Sequence, residues 1–187
     1  MLKRTLFFVF TLITFMGYSQ EREETEPVKV IVPAEKLEAV SNVDLQKFAG
    51  KWYQVAAYPS RFQKDCYCSQ AEYTLTEKGY MKIVNSCRKG SPEGKLKIAN
   101  GKAWAVKGSN NAKLKVQFAW PFKGDYWIIG LEKNYRAAIV SDSKRKYLWI
   151  LSRTPKMEND AFQKVLEVVR AKGFDLTKIE LDSQECK

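Results

Sequence analysis

Four side chains stand out as able to do covalent or metal chemistry: Cys66, Cys68, Cys87 and Cys186. A thiolate can attack an electrophile, hold a soft metal or close a disulfide, and its surroundings decide which. The sequence contains no histidine. The commonest general base and the commonest partner of cysteine in zinc sites are therefore both missing. Cys66-Tyr67-Cys68 is a lone C-x-C with no second pair, which argues against structural metal. No G-x-S-x-G or other nucleophile–base arrangement occurs. The even count instead suits two disulfides in an oxidising compartment.

Export is expected from the first residues. Lys3 and Arg4 precede an apolar run from Leu6 to Phe15, broken only by Thr11 and Thr14. Gly17 and Ser19 are small residues at a cleavage site, so residues 1–19 read as a signal peptide. The run is short for a membrane span. No cysteine lies at the cleavage point, so the exported chain, periplasmic or secreted, is expected to carry no lipid anchor. Residues 20–40 hold six acidic and three basic residues with Pro27 and Pro33, and read as a flexible linker. The folded domain is expected over 41–187.

Charge narrows the partners. The formal net charge is +11, and residues 41–187 carry 27 basic against 15 acidic residues. Such a surface attracts anionic lipid head groups or nucleic acid. The lysines are scattered singly along strand faces, with Lys144-Arg145-Lys146 as the one run. No stacking or groove-binding motif accompanies them. Nucleic acid is therefore not an expected partner, whereas peripheral membrane contact is compatible with the charge.

The elements follow from periodicity. Val43 to Phe48 reads as a helical turn ending at Gly50. After it the apolar period becomes two. Strands are expected over 52–58, 69–76, 80–87, 101–107, 113–120, 126–131, 137–141 and 147–152, with a hairpin turn at Glu77-Lys78-Gly79. A single helix is expected over 158–172, with Phe162, Val165, Leu166 and Val169 on one face and Gly173 after its end. Eight short antiparallel strands make a sandwich or a barrel. Alternation turns Leu114, Val116 and Phe118 inward, and gives Ala71, Tyr73 and Leu75 one face. Tyr147, Trp149 and Leu151 share another. Leu148 and Ile150, on the opposite side of that strand, need cover, and the helix can supply it.

Residues 42–53, Asn-Val-Asp-Leu-Gln-Lys-Phe-Ala-Gly-Lys-Trp-Tyr, and residues 147–155, Tyr-Leu-Trp-Ile-Leu-Ser-Arg-Thr-Pro, resemble the first and last signatures of the lipocalins. The second is similar to the bacterial outer-membrane lipocalin and apolipoprotein D branch. Ala112 to Val116, Asp125 to Ile128 and Gly173-Phe174-Asp175 add to the likeness, which covers about residues 42–186. It implies an all-β, eight-stranded antiparallel up-and-down barrel with one C-terminal α-helix packed outside. Gly50, Trp52 and Arg153 are implied as structural residues, with Trp52 closing the narrow end under Arg153. The middle signature departs from the family, with Lys133 at its acidic position and Tyr135 in its aromatic role. The resemblance to apolipoprotein D also implies Cys68–Cys186, leaving Cys66–Cys87. Simple hairpin register sets residue 68 opposite 87, so Cys68–Cys87 with Cys66–Cys186 stays open here.

The expected function is binding, storage or transport of a small lipophilic molecule, a fatty acid, lysophospholipid or similar amphiphile, without catalysis. Ala71, Tyr73, Leu75, Val116, Phe118, Trp120, Tyr147 and Trp149 are the expected lining. No metal or other cofactor is expected, and oligomeric state is not legible. Two alternatives stand beside this reading. One is a lipocalin-fold enzyme of isomerase or de-epoxidase type. The other is a protein-interaction module using the loops at 58–62 and 120–125, where Trp120 and Phe122 would be exposed or form a lid.

Overall fold

A computed structural model describes residues 36–186; the expected signal peptide lies outside them. A short helix, α1 (Leu45–Phe48), leads into β1 (Gly50–Ala57). Then come β2 (Cys66–Leu75), β3 (Met81–Lys89), β4 (Lys95–Ala105), β5 (Lys113–Ala119), β6 (Phe122–Leu131), β7 (Ala137–Ser141) and β8 (Leu148–Ser152). The helix α2 (Asn159–Ala171), a 3-10 turn at Leu176–Lys178 and a two-residue strand, β9 (Glu180–Leu181), complete the chain. Each strand pairs antiparallel with the next, and β1 pairs with both β8 and β2. The sheet is therefore the expected closed barrel, in which each of the eight strands has a strand partner on both sides.

Several boundaries differ from expectation. β4 starts at Lys95 rather than residue 101, because an unbroken register with β3 from Lys89↔Lys95 to Met81↔Ala103 carries it through Asn100-Gly101. β6 starts at Phe122 rather than 126, so most of the loop expected over 120–125 is strand. Packing also begins before residue 41. Leu37 is buried, and the Val40 N–H donates to the Ile128 carbonyl at 2.9 Å.

Two apolar clusters lie on opposite faces of the wall. The inner one gathers Phe48, Trp52, Tyr73, Met81, Leu114, Ile128 and Leu151. The outer one joins Val55, Ile129, Ile139, Leu148 and Ile150 to Val169 of α2, with Phe162, Val165 and Leu166 packed against it. This is the cover that the Leu148/Ile150 face needed. Fully burying a Val side chain such as Val169 contributes about 1.5 kcal/mol or more.

The tail was not expected to join the sheet. β1 meets β2 only over Gly50–Tyr53, so the two strands part toward the mouth. The tail fills that wedge: Ala56 and Ala57 pair with Leu181 and Glu180. The Asp182 N–H then donates to the Val55 carbonyl at 3.0 Å, and the Cys68 N–H to the Ser183 carbonyl at 2.9 Å. Cys186 is bonded to Cys68, and Cys66 to Cys87. The register of β2 on β3 slips by one between Tyr67 and Gln70, and Cys68 sits at φ 52°. That slip removes Cys68 from its place opposite Cys87 and leaves it on the tail side.

Candidate functional site

The barrel has one plugged end. Asp44 caps α1, accepting from the Gln46 and Lys47 N–H groups. The helix brings Phe48 over Trp52, both with no solvent exposure. The Trp52 indole N–H donates to the Phe48 carbonyl at 2.8 Å. Arg153 lies over the indole, its guanidinium carbon 3.9 Å from the ring centroid. It donates to the carbonyls of Lys47, Phe48, Ala49, Lys51 and Tyr135 at 2.7–3.2 Å. Three of these are at the end of α1, where helix carbonyls have no partner of their own. A planar, permanently charged fork can serve stacking and several carbonyls at once. Gly50 permits this approach: its φ is +90°, and a Cβ there would lie 3.4 Å from the guanidinium. The loop after β6 completes the plug. The Tyr135 hydroxyl accepts the Asp44 N–H at 2.9 Å, and Glu132, one residue before Lys133, accepts the Arg136 N–H at 3.0 Å.

From this plug a chain of aromatic rings runs toward the mouth. Trp52 meets Phe48, Phe48 meets Tyr73, and Tyr73 meets Tyr126 at centroid distances of 5.1, 5.4 and 6.2 Å. Tyr126 stacks on Trp149 at 6.5 Å, Trp149 on Tyr147 at 5.6 Å, and Tyr147 meets Phe62 at 5.9 Å. Exposure rises along the series, from nothing at Trp52 through half-buried Trp149 and Tyr147 to 58% at Phe62. The Tyr73 and Tyr126 hydroxyls share a 2.7 Å hydrogen bond in the buried part. Burial raises both pKa values, Tyr73 to about 12.

The expected lining residues therefore separate into three groups. Ala71 faces Trp52 across the sheet, Tyr73 touches Phe48, and Leu75 packs on the same cluster, so these three belong to the plugged half. Val116 and Trp149 are half-buried at the edge of this inner cluster, and Trp149 stacks on half-buried Tyr147 toward the mouth. Phe118 and Trp120 sit at the rim, 44% and 86% exposed. Trp120 and Phe122, in and beside the β5–β6 turn, are largely exposed rather than packed on the inner rings. The segment that crosses the mouth is 60–64, between β1 and β2. Phe62 touches Tyr147, while Lys97, on β4, donates to the Phe62 carbonyl at 3.5 Å. Tyr58, expected in an interaction loop, is instead buried and donates to the Asp175 carbonyl at 2.8 Å.

Apolar alternation did not single out several polar residues that face the interior or join the wall to the tail. The Trp149 indole N–H donates to Gln63 Oε1 at 2.7 Å, and Gln63 Nε2 donates to Gln54 Oε1 at 2.7 Å. Gln54 Nε2 donates in turn to the Asp182 carboxylate at 2.9 Å. This chain ties the crossing loop to the inner wall and to the tail. Burial pushes the Asp182 pKa up, although the Ser69 and Gln54 groups around it favour the ionised form. The side-chain oxygen of Asn85, on the strand position paired with Ala71 and Ala99, is buried without a partner. Gly101 opens space on β4, where a Cβ would lie 2.8 Å from the Phe118 ring. Among the described residues no cluster suited to a metal ion occurs, and all four cysteines are in disulfides.

Comparison with known proteins agrees with this architecture. A family model described as a lipocalin-like domain matches residues 43–184. The outer membrane lipoprotein Blc of Vibrio cholerae serotype O1 is 38% identical over 147 residues, 78% of this chain and 85% of that protein. Apolipoprotein D of Mus musculus is 30% identical over 151 residues, 76% and 78% of the two chains. The solved structure of insecticyanin from the tobacco hornworm Manduca sexta superposes with a TM-score of 0.66 at 20% identity, over 80% of this chain and 85% of that one. The Gly50-x-Trp52 plug under Arg153, the closed eight-stranded barrel and these matches lead to one conclusion: the chain belongs to the lipocalin family.

Proposed function

We propose that the protein binds and carries a small lipophilic molecule in the open half of its barrel. The carrying observation is the gradient along the aromatic series. The rings are fully buried where the barrel is plugged and half-buried where Trp149 and Tyr147 face the mouth. Apolar walls with a few polar groups are the usual make-up of a small-molecule site. Val116, Phe118, Tyr147 and Trp149 would hold an apolar chain. Asn85 and Gln63 offer polar contacts, and the basic rim suits an anionic head group, as in a fatty acid or lysophospholipid. Binding requires no catalytic step, and with every described cysteine in a disulfide the most reactive nucleophile is not available. Export fits the two disulfides, which persist in oxidising compartments. On this reading the exported chain is periplasmic or secreted.

The test is solvent extraction of the purified protein with mass spectrometry, followed by titration of lysophospholipid and fatty acid while tryptophan emission is recorded. A saturable quench, lost in Trp149→Ala, is the expected result. No co-purified lipid together with no saturable quench would remove the proposal.

A further inference from the structure

Among the described residues, eight large apolar side chains are markedly exposed. Six of them, Phe62, Leu96, Ile98, Phe118, Trp120 and Phe122, belong to the mouth end of the barrel, in the loop after β1, the start of β4 and the β5–β6 turn. Trp120 and Phe122 project farthest from cover, 86% and 76% exposed. Monomeric proteins seldom concentrate exposed apolar surface in this way without using it.

The same end is strongly basic. The four connections at the mouth, residues 58–67, 88–97, 119–125 and 142–147, contain ten Lys and Arg against four Asp and Glu. Arg61, Lys64, Lys95, Lys123, Lys144 and Lys146 are all exposed. Lys123 stands beside the Trp120/Phe122 tip, over the Trp104 ring at 5.0 Å. Tryptophan favours the boundary between head groups and acyl chains, and clustered lysine and arginine are attracted to anionic leaflets. The pairing of these two features selects the occupant. A second copy docked mouth to mouth would set like charges against each other. An anionic bilayer satisfies the cations at its phosphates and the aromatic tips just beneath them.

We propose that the open end docks on the surface of an anionic lipid bilayer, with Trp120 and Phe122 entering the head-group region. The mouth then faces the membrane. Where the carrier reading holds, a lipid passes between bilayer and barrel without crossing bulk water.

Co-sedimentation with phosphatidylcholine vesicles, alone or mixed with phosphatidylglycerol, tests the docking. The expected result is binding to the mixed vesicles with a blue shift of tryptophan emission, and little binding to phosphatidylcholine alone. Trp120→Ser with Phe122→Ser should weaken it by about tenfold or more, and raised salt should weaken it further because exposed charges are screened. Circular dichroism and the melting transition establish that the double variant is folded. Absent binding by the wild-type protein would overturn the proposal. So would equal binding by the folded double variant, or a mouth-dependent dimer in light scattering with no vesicle binding. Trp149→Ala separates the two proposals: it should lose the cavity quench and keep the vesicle binding. Vesicle binding without any cavity ligand would defeat the carrier reading and leave the docking intact.

Discussion

At one end of the barrel Trp52 is wholly buried, its indole N–H is bonded to Phe48, and Arg153 covers its face. At the other, Trp120 is 86% exposed. The plugged end is held by packing and by a guanidinium that serves five main-chain carbonyls. The mouth is held differently. There β1 and β2 separate, and the wall is completed by a tail fixed through Cys68–Cys186 and by the Trp149–Gln63–Gln54–Asp182 hydrogen bonds. One end is dense and internally satisfied; the other keeps aromatic and cationic groups at its surface. The contrast teaches that similar residue types stabilise or bind according to whether their partners lie within the chain.

The largest expected effect comes from the covalent side of this contrast. Cys68→Ser with Cys186→Ser opens a 118-residue separation and should cost about 5 kcal/mol in the chain-entropy model, against about 3 kcal/mol for the 21-residue Cys66–Cys87 link. Urea titration measures both. Hydrogen exchange should show protection falling first at β9 and the Val55–Ala57 segment, with Trp52 and Arg153 amides still protected; uniform loss would erase the distinction between the ends.

Trp52→Ala comes next, at about 3–5 kcal/mol, since it empties a filled site. Trp149→Ala, half-buried, should cost roughly 1–2 kcal/mol while removing ligand-dependent quenching. Comparable destabilisation by the two would contradict the gradient in burial.

The Tyr73–Tyr126 pair, between the two regions, supplies a pH test. Both hydroxyls titrate higher in the folded chain, Tyr73 at about 12, than the usual 10. A raised folded pKa means that the unfolded chain releases its protons first. Stability is fully kept below pH 10 and declines as pH rises from about 10 toward 12. Tyr73→Phe with Tyr126→Phe should flatten that decline and change stability at neutral pH by about 1 kcal/mol or less, because both partners leave together. Denaturation at a series of pH values checks this.

The smallest effect is Trp120→Ala on stability, within about 0.5 kcal/mol, as for other surface positions away from packing. A larger loss in the melting transition would mean that the rim supports the fold.

Much of the fold was legible. Period-two alternation located the strands, and the 3.6 period of Phe162, Val165, Leu166 and Val169 located α2. The site was less so. Ala71, Tyr73 and Leu75 do point inward, as their alternation implies, but alternation gives a direction and not a depth. Depth depends on where along the barrel axis each strand pairs, which is why Tyr73 joins the plug. Gln63 and Asp182 carry no periodic signal, and they meet Trp149 and Gln54 only through the crossing loop and the inserted tail.

The sequence by itself determined eight alternating antiparallel strands, in a sandwich or a barrel, and the family resemblance carried by Gly50-x-Trp52 and Arg153 implied the barrel with its plugged end. It also supplied the cysteines, for which the family resemblance implied Cys68–Cys186 and Cys66–Cys87 while simple hairpin register left the swapped pairing open. Only the tertiary structure chose between the pairings, since one register slip at Cys68 turns that residue from β3 toward the tail. It likewise decided which aromatics are buried in the plug, half-buried toward the mouth or exposed to water. Those assignments depend on contacts between residues as far apart as Gln54 and Asp182, which no local pattern in the chain records.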